Sequence, residues 1–243
     1  MSPCQCFVIN CRSPCLSLAI RETVNINATE NPSMKSLLAT AACLLLTASV
    51  IAGEPPANSE LAVDDSFDRK QLGEGWHVNT GEWTIADGVL RAREIPDQNH
   101  SAAARRTVET KNAVYDLRFR FVEDGKGFHF GFDPAPGELK KKGHLFSVIV
   151  TPESWKILKH IDKAQPKDDP NKTLAEQKTE FERGKWYSLR VTTWQTHVTA
   201  SIEGKEPLKA SHETFGVKKP TLVFRCLDNG VEIDDIKVWK QKP

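Results

Sequence analysis

The fold is decided by the stretch EWTIADGVLRARE, which runs from Glu82 to Glu94. Apolar and polar residues alternate on both sides of its centre, as they do in strands that bury one face. The central pair, Asp87-Gly88, supplies the two positive φ angles that a tight primed turn requires. The stretch therefore predicts a β-hairpin.

The same alternation continues towards the C-terminus, in runs separated by short turns such as Asp124-Gly125, Glu203-Gly204 and Asn229-Gly230. The clearest of these runs are AVYDLRFRFVE, GFHFGFD, HLFSVIV, KWYSLRVTTW, TLVFRCLD and VEIDDIKVWK. About a dozen strands without a repeat predict an all-β protein, an antiparallel two-sheet jelly-roll sandwich over residues 61–243. Thr173 to Glu182 is the one segment with a helical alternative, and it is equally compatible with a loop.

The first 52 residues differ from the rest. The segment from Met34 to Ala52 has a basic residue, an apolar stretch and small residues before Gly53, which is typical of a secretory signal peptide. Its apolar core is shorter than the roughly 20 residues that span a bilayer. We therefore expect residues 1–33 to be a non-native leader from an upstream start, residues 34–52 a signal peptide and residues 53–60 a linker. The mature protein is then secreted, periplasmic or at the cell surface, with no membrane span.

Charge and cysteine content exclude other classes. Residues 53–243 carry 30 Lys and Arg against 30 Asp and Glu, so they lack the basic excess of a nucleic-acid-binding protein. Cys226 is the single cysteine in this part of the sequence, which excludes a disulfide framework. A domain of this length buries enough surface to need no covalent cross-link.

Alternation also assigns side chains to faces. In four strands the apolar set predicts the core, including Phe119, Phe130, Leu189 and Phe224; Trp83 of the hairpin joins them. If these four strands are neighbours, the opposite face of one sheet carries the following side chains: Arg118, Arg120, His129, Asp133, Trp186, Arg190, Trp194 and Arg225. Indole rings stack on the C–H faces of sugars, and charged groups bind sugar hydroxyls. This face predicts a saccharide or glycoside ligand, although a merely solvated sheet face has a similar composition.

Five segments in order carry a resemblance to a known family: DDSFDR, the Glu82–Glu94 hairpin, DLRFRF, GKWYSLRV and VEIDDIKVW. Residues 63–240 resemble the concanavalin A-like lectin/glucanase jelly rolls and, among them, are most similar to the 3-keto-disaccharide hydrolase domain. Where that family has an Asn-Ser-Gly-Ile type of strand, this chain has GFHFGFD. The resemblance implies an enzyme that cleaves an oxidised disaccharide or a related glycoside.

In this enzyme hypothesis His129 transfers a proton and Asp133 is the second catalytic candidate. Arg118 or Arg190 stabilises developing oxyanion charge, and Trp186 or Trp194 is the stacking platform. A non-catalytic carbohydrate-binding module would use the same tryptophans and arginines without proton transfer. A structural module of the cell surface is the third hypothesis.

Other chemistry receives less support from the sequence. Glu232-Ile233-Asp234-Asp235-Ile236 begins like the Glu-x-Asp-x-x-Glu strand of retaining glucanases, but Lys237 stands at the sixth position and cannot act as a carboxylate. Cys226 falls on a core side, which disfavours a catalytic thiol. No cofactor is predicted. His129, Asp133 and His144 are residue types that suit a divalent metal or a proton transfer beside a carbonyl, but His129 and Asp133 on one flat strand lie about 13 Å apart and cannot both bind one ion.

Overall fold

The computed structural model describes residues 54–242, so the predicted leader and signal peptide lie outside the described residues. These residues form fifteen strands in chain order: β1 (Ser59–Asp65), β2 (Trp76–Thr80), β3 (Glu82–Ala86), β4 (Val89–Arg93), β5 (Ala102–Thr110), β6 (Ala113–Phe121), β7 (Gly127–Phe132), β8 (Phe146–Thr151), β9 (Ser154–Lys159), β10 (Lys172–Lys178), β11 (Tyr187–Trp194), β12 (His197–Ile202), β13 (Leu208–Ser211), β14 (Lys219–Leu227) and β15 (Asn229–Gln241). Two short 3-10 helices, at Pro96–Gln98 and Glu213–Gly216, complete the regular structure. Over these residues, no helix has the length and apolarity needed to cross a membrane.

The strands form two antiparallel sheets. Sheet A has eight strands, in the order β13-β12-β11-β6-β15-β4-β3, with β1 also paired to β15. Sheet B has seven strands, in the order β10-β9-β8-β7-β14-β5-β2. The prediction of an all-β, two-sheet jelly-roll sandwich is therefore confirmed.

The hydrophobic core lies between the two sheets. Phe119 of sheet A stacks on Phe128 of sheet B with 5.3 Å between ring centroids, and Phe130 contacts Phe224 at 5.4 Å within sheet B. The five side chains predicted for the core, including Trp83 and Leu189, are all buried. Cys226 is buried too, and burial raises the pKa of its thiol, which agrees with an inert core residue.

The hairpin forms as predicted. β3 and β4 pair from Ala86 and Val89 outwards, and the turn residues Asp87 and Gly88 have φ angles of 55° and 73°. These are the two positive angles of a primed turn.

The ambiguous segment from Thr173 to Glu182 contains no helix: its first part belongs to β10 (Lys172–Lys178), the edge strand of sheet B, and residues 179–182 form a loop. Leu174 and Ala175 pack against the core from this strand, and Gln177 accepts a hydrogen bond of 2.9 Å from Nε1 of buried Trp155. These tertiary contacts favour a strand where the local sequence is ambiguous.

Candidate functional site

The side chains predicted to share one face lie on two. β6 and β11 are neighbours in sheet A, and β7 and β14 are neighbours in sheet B. Arg118, Arg120, Trp186, Arg190 and Trp194 therefore belong to the outer side of sheet A, whereas His129, Asp133 and Arg225 belong to the outer side of sheet B. The single face was a wrong prediction, because alternation distinguishes inside from outside but does not tell which sheet a strand joins.

On sheet A, the predicted arginines are engaged in ion pairs across strands. Arg118 contacts Asp234 at 2.5 Å, and Arg120 contacts Glu232 at 2.5 Å. Glu232 also accepts a hydrogen bond of 2.7 Å from Nε of Arg91. The acidic residues that resembled the start of a glucanase motif are thus partners of arginines.

Arg190 and Trp186, two further members of the predicted set on sheet A, also contact neighbouring side chains. Arg190 binds Asp116 with two hydrogen bonds, of 2.6 and 2.8 Å. Arg118 and Arg120 lie over the ring of Trp186, with 5.0 and 4.6 Å from guanidinium carbon to ring centroid. These contacts are cation–π interactions that cover an indole face otherwise suited to a sugar.

Trp194 is the exception on this sheet, since 49% of the residue is exposed. It lies at the end of β11 beside Trp239, at a depression of about 40 Å³. That volume is far below the range of about 300 to 1,000 Å³ that is usual for ligand pockets.

Each sheet also has a larger cleft. On sheet A, a cleft of about 460 Å³ lies over β3, β4 and β15, where Arg91 pairs with Glu232 and Arg93 with Glu82. On sheet B, a cleft of about 430 Å³ opens on the outer side. Its floor is formed by β5 and β14, where Ala103 and Val223 are small enough to leave space between Arg105 and Arg225. One wall comprises Asn79, Thr80 and His100. The other wall comprises His144, His160, Ile161, Lys163 and Asn171.

Asp133 follows β7 and links two residues that line this cleft. Nδ1 of His144 donates a short hydrogen bond to its carboxylate, and Nε of Arg105 donates another of 3.1 Å. Burial acts to raise the pKa of Asp133, but the hydrogen bond from His144 and the charge of Arg105 outweigh it, so the pKa lies below its ordinary value. Asp133 is therefore ionised, and it fixes Nδ1 of His144 as a donor.

His160 lies beside this pair at the end of β9. Its ring centroid is 5.3 Å from that of His144, and its Nε2 is 2.8 Å from the hydroxyl of Ser147. Nζ of Lys141 donates a hydrogen bond of 2.7 Å to its carbonyl oxygen. Burial is the largest cause of the low pKa of His160, which is about 3, so the ring is neutral at pH 7.

His129, the predicted proton-transfer group, is on β7 directly opposite Arg225 of β14. Its Nδ1 is buried and has no hydrogen-bond partner among the described residues. Burial, helped by the charges of Arg225 and Lys156, lowers its pKa to about 4. His129 is thus a neutral imidazole next to the cleft, whereas His144 lines it.

Arg225 lies between β5 and β7 in the same sheet. Its Nε and Nη2 both donate to the hydroxyl of Ser101, at 3.1 and 2.6 Å. Burial lowers its pKa, and the charge of Glu94 acts in the opposite direction. This guanidinium is therefore held in place by a neutral partner.

Sequence reasoning thus found three members of this cluster and missed others. His144 was considered only as part of a metal or acid/base cluster with His129 and Asp133, and Arg105 and His160 were not considered. The alternation in SAAARRTV could have found Arg105, because Ala102 and Ala104 are core residues and the residue after them points outwards. His160 becomes recognisable only from the pairing of β8 with β9.

The described residues match neither a metal site nor the site of a retaining glycoside hydrolase. Within residues 54–242, no group of three or more His, Cys, Asp or Glu side chains is arranged to hold a metal ion. None of the residues that line the cleft is a carboxylic acid, while retaining glycoside hydrolysis needs two carboxyl groups about 5 to 5.5 Å apart. The cleft instead combines imidazoles with cations.

Several solved structures share the fold. A non-specific endo-β-1,3(4)-glucanase of family GH16 matches with a TM-score of 0.60 at 11% identity, over 78% of this chain and 94% of that chain. The laminarinase from Rhodothermus marinus matches with a TM-score of 0.59 at 12% identity, over 76% and 98%. The CBM2 module of the evolved Dit of Lactobacillus casei BL23 phage J-1 matches with a TM-score of 0.53 at 13% identity, over 75% and 96%.

These similarities show a concanavalin A-like sandwich fold. At such low identity they do not assign an activity. No protein-family model matches the chain, and no curated protein matches it in sequence. The resemblance to 3-keto-disaccharide hydrolases therefore stays a prediction.

Proposed function

We propose that the protein is a carbohydrate-active enzyme that binds a saccharide in the cleft of sheet B and cleaves an oxidised disaccharide or related glycoside there. The fold supports this proposal, because it is shared with GH16 glucanases and with a carbohydrate-binding module. The observation that carries it is the oriented His144–Asp133 pair at the edge of a cationic cleft.

His144 has the geometry of a general base. Asp133 accepts the hydrogen from Nδ1, which leaves Nε2 as the ring nitrogen available to a ligand in the cleft. Asp133 also stabilises the imidazolium that forms when Nε2 takes up a proton. Arg105 keeps the carboxylate ionised and in place from the other side. His144 is thus the catalytic residue, and Asp133 and Arg105 are positioning residues.

This arrangement suits proton abstraction next to a carbonyl. In a disaccharide oxidised at C3, the hydrogen on C2 is acidic, and His144 removes it to give an enolate. The electron pair then re-forms the carbonyl and expels the glycosidic oxygen from C1, which takes the proton from the imidazolium. Water adds across the C1–C2 double bond of the resulting enone and gives the free 3-keto sugar. Arg225 and Lys163 line the cleft as cations and stabilise the enolate oxygen.

The lining of the cleft argues against direct displacement at C1. Among the described residues that line it there is no pair of carboxylic acids to act as nucleophile and acid, and Asp133 is occupied by His144 and Arg105. An elimination route needs only a base and a stabilised oxyanion, which are the groups that this cleft contains.

Proton NMR in D₂O tests the proposal with a 3-keto-disaccharide and its unoxidised parent. We expect deuterium to enter at C2 of the keto sugar and cleavage to follow, with the parent left intact. His144→Asn should lower both rates about 100-fold or more, because general-base catalysis is worth that much. Trp186→Ala, on the other sheet, is the control and should act like the parent protein.

A carbohydrate-binding module would give a different result. Saccharide would then bind without deuterium exchange or cleavage, and His144→Asn would not change turnover because there would be none. Absence of binding by any saccharide would overturn both readings and favour a structural module.

A further inference from the structure

The charges at the sheet B cleft do not balance. Three permanent cations line it, namely Arg105, Lys163 and Arg225. The carboxylate of Asp133 pairs with Arg105. Within residues 54–242, neither Lys163 nor Arg225 forms an ion pair with a carboxylate. The cleft thus has an excess of positive charge, which focuses an attractive potential on negatively charged ligands.

Arg225 shows the imbalance most clearly. Its side chain is partly buried in the middle of sheet B, and the hydrogen bonds of its Nε and Nη2 both go to one neutral hydroxyl, that of Ser101. A guanidinium removed from water normally has an anionic partner, because its desolvation is otherwise uncompensated. Glu94 affects its pKa but is not in contact with it. The partner that the fold lacks at this position can be supplied by a ligand.

The imidazoles nearby do not change this balance. His129 and His160 are neutral at pH 7, because burial and the surrounding cations lower their pKa values to about 4 and about 3. These two imidazoles therefore contribute no charge to the cleft. An anion in the cleft would therefore meet attraction from Arg225 and Lys163 without opposing repulsion from a free carboxylate of the lining.

The lining of the cleft also favours an anionic ligand. No Trp, Tyr or Phe of the described chain lines it, so a sugar has no aromatic platform there. Stacking and burial of an aromatic face are the usual apolar contributions to sugar binding. Charged hydrogen bonds are stronger than neutral ones and have to replace that contribution.

We infer that the saccharide taken by this cleft is anionic, and that a carboxylate or sulfate group on it pairs with Arg225. This inference rests on the proposed function and narrows its substrate class. The planar guanidinium, held by Ser101, presents a fork that matches the two oxygens of such a group. Lys163, on the wall, adds a second positive charge.

Isothermal titration calorimetry on the full chain tests the inference with three disaccharides that share one linkage: a neutral one, one with a uronic acid and one with a sulfate ester. We expect at least one anionic disaccharide to bind about 10-fold or more tightly than the neutral one. Whichever of the two anionic disaccharides binds more tightly shows whether the cleft prefers a carboxylate or a sulfate.

Two variants assign the preference to Arg225. Arg225→Met should abolish the preference for the anionic disaccharide, and the matched Arg190→Met on sheet A should keep it. Thermal unfolding establishes whether Arg225→Met is folded. If it is not, the unaltered protein gives the same information: affinity for the anionic disaccharide should fall as salt rises from about 50 to 500 mM, while affinity for the neutral one should not.

Equal or tighter binding of the neutral disaccharide would overturn the inference and leave the proposed function standing. Failure of all three disaccharides to bind would also overturn the inference, whereas the proposed function is decided separately by the keto-disaccharide in D₂O. Preference for the anionic ligand that survives in folded Arg225→Met would overturn the role of Arg225.

Discussion

The two outer faces of the sandwich carry similar charged side chains, which differ in their bonding partners. On sheet A, Arg118, Arg120 and Arg190 each have a carboxylate partner at 2.5 to 2.6 Å. On sheet B, Arg225 is bound only by a hydroxyl, and the buried Nδ1 of His129 has no partner among the described residues. An arginine without a carboxylate partner on the outer side of sheet B supports the proposal that this face binds the ligand.

The residues directly across each strand explain the difference. Arg190 faces Asp116, Arg118 faces Asp234 and Arg120 faces Glu232 in the register of sheet A. In sheet B, Arg225 faces His129 on one side and Ala103 on the other. Opposite charges across a strand pair stabilise a sheet, whereas a cation next to an imidazole and a methyl group does not. The role of a charged residue on a strand can therefore be inferred only when its cross-strand neighbours are known.

The largest effect that separates the faces is expected in acid. His129 and His160 have pKa values of about 4 and about 3, against an ordinary value of 6.5. Between about pH 6.5 and pH 4 the unfolded chain therefore binds more protons than the folded one, so the free energy of unfolding falls as the pH falls. Because one pKa unit corresponds to about 1.4 kcal/mol, urea unfolding should show a loss of roughly 3 kcal/mol or more from pH 7 to pH 4.

Variants assign this loss to sheet B. A double variant, His129→Gln with His160→Gln, should make the free energy of unfolding less dependent on pH over that window. His197→Gln, on an exposed position of sheet A, is the control and should leave the dependence as it is. A double variant with the pH dependence of the parent would contradict the buried, neutral state of these imidazoles.

The next effect concerns two carboxylates in comparable surroundings. Asp133 and Asp116 each bind an arginine, and each has a side chain that is 20% exposed. Asp133→Asn should lower kcat about 100-fold with little change in KM, because Asp133 acts through His144 and not on the substrate. Asp116→Asn should change kcat less than about 2-fold, since its partner Arg190 lies on the other sheet.

Steady-state kinetics with the keto-disaccharide measure both variants. Asp133→Glu should recover part of the activity, because it keeps the negative charge next to His144. Equal losses in Asp133→Asn and Asp116→Asn would mean that the two faces do not differ in function.

A smaller effect, on saccharide affinity, is expected from a substitution at Gly131 of β7. Gly131 points outwards, and a Cβ there would collide with the hydroxyl of Ser147, which binds His160. Gly131→Ala should displace that hydroxyl and weaken saccharide binding about 10-fold through the wall of the cleft. Gly127→Ala, four residues earlier on the same face, meets only the side chain of Leu227 and should bind like the parent.

Calorimetric titration distinguishes the two glycine variants. Unchanged affinity in Gly131→Ala would show that His160 and its support take no part in binding.

The smallest effect belongs to sheet A. Arg190→Met removes a pair whose side chains are 35% and 20% exposed, and such pairs contribute up to about 1 kcal/mol. We expect a slightly lower free energy of unfolding in urea and no change in saccharide affinity. A loss of affinity in Arg190→Met would return the binding site to the face that the sequence pattern had suggested.

The local features of this fold were within reach of the sequence. Asp87-Gly88 predicts its turn because φ preferences are local, and the apolar sides of β6 and β7 follow from alternation alone. The site depends on long-range pairing. Whether Arg118 and His129 share a sheet is decided by which strands pair, and nothing within either strand specifies it. Placing His160 beside His144 likewise requires the register of β8 and β9 and the loop that follows β7.

The most direct test of the account is to observe which face responds to a saccharide. Two-dimensional ¹H–¹⁵N NMR of the full chain, titrated with the neutral, uronic-acid and sulfated disaccharides in turn, follows histidine ring nitrogens and tryptophan indole N–H groups together. We expect the signals of His144 and His160 to shift and saturate, while those of Trp186, Trp194 and His197 stay in place. Saturable shifts of Trp186 or Trp194 with unchanged histidine signals would contradict it and place the ligand on sheet A.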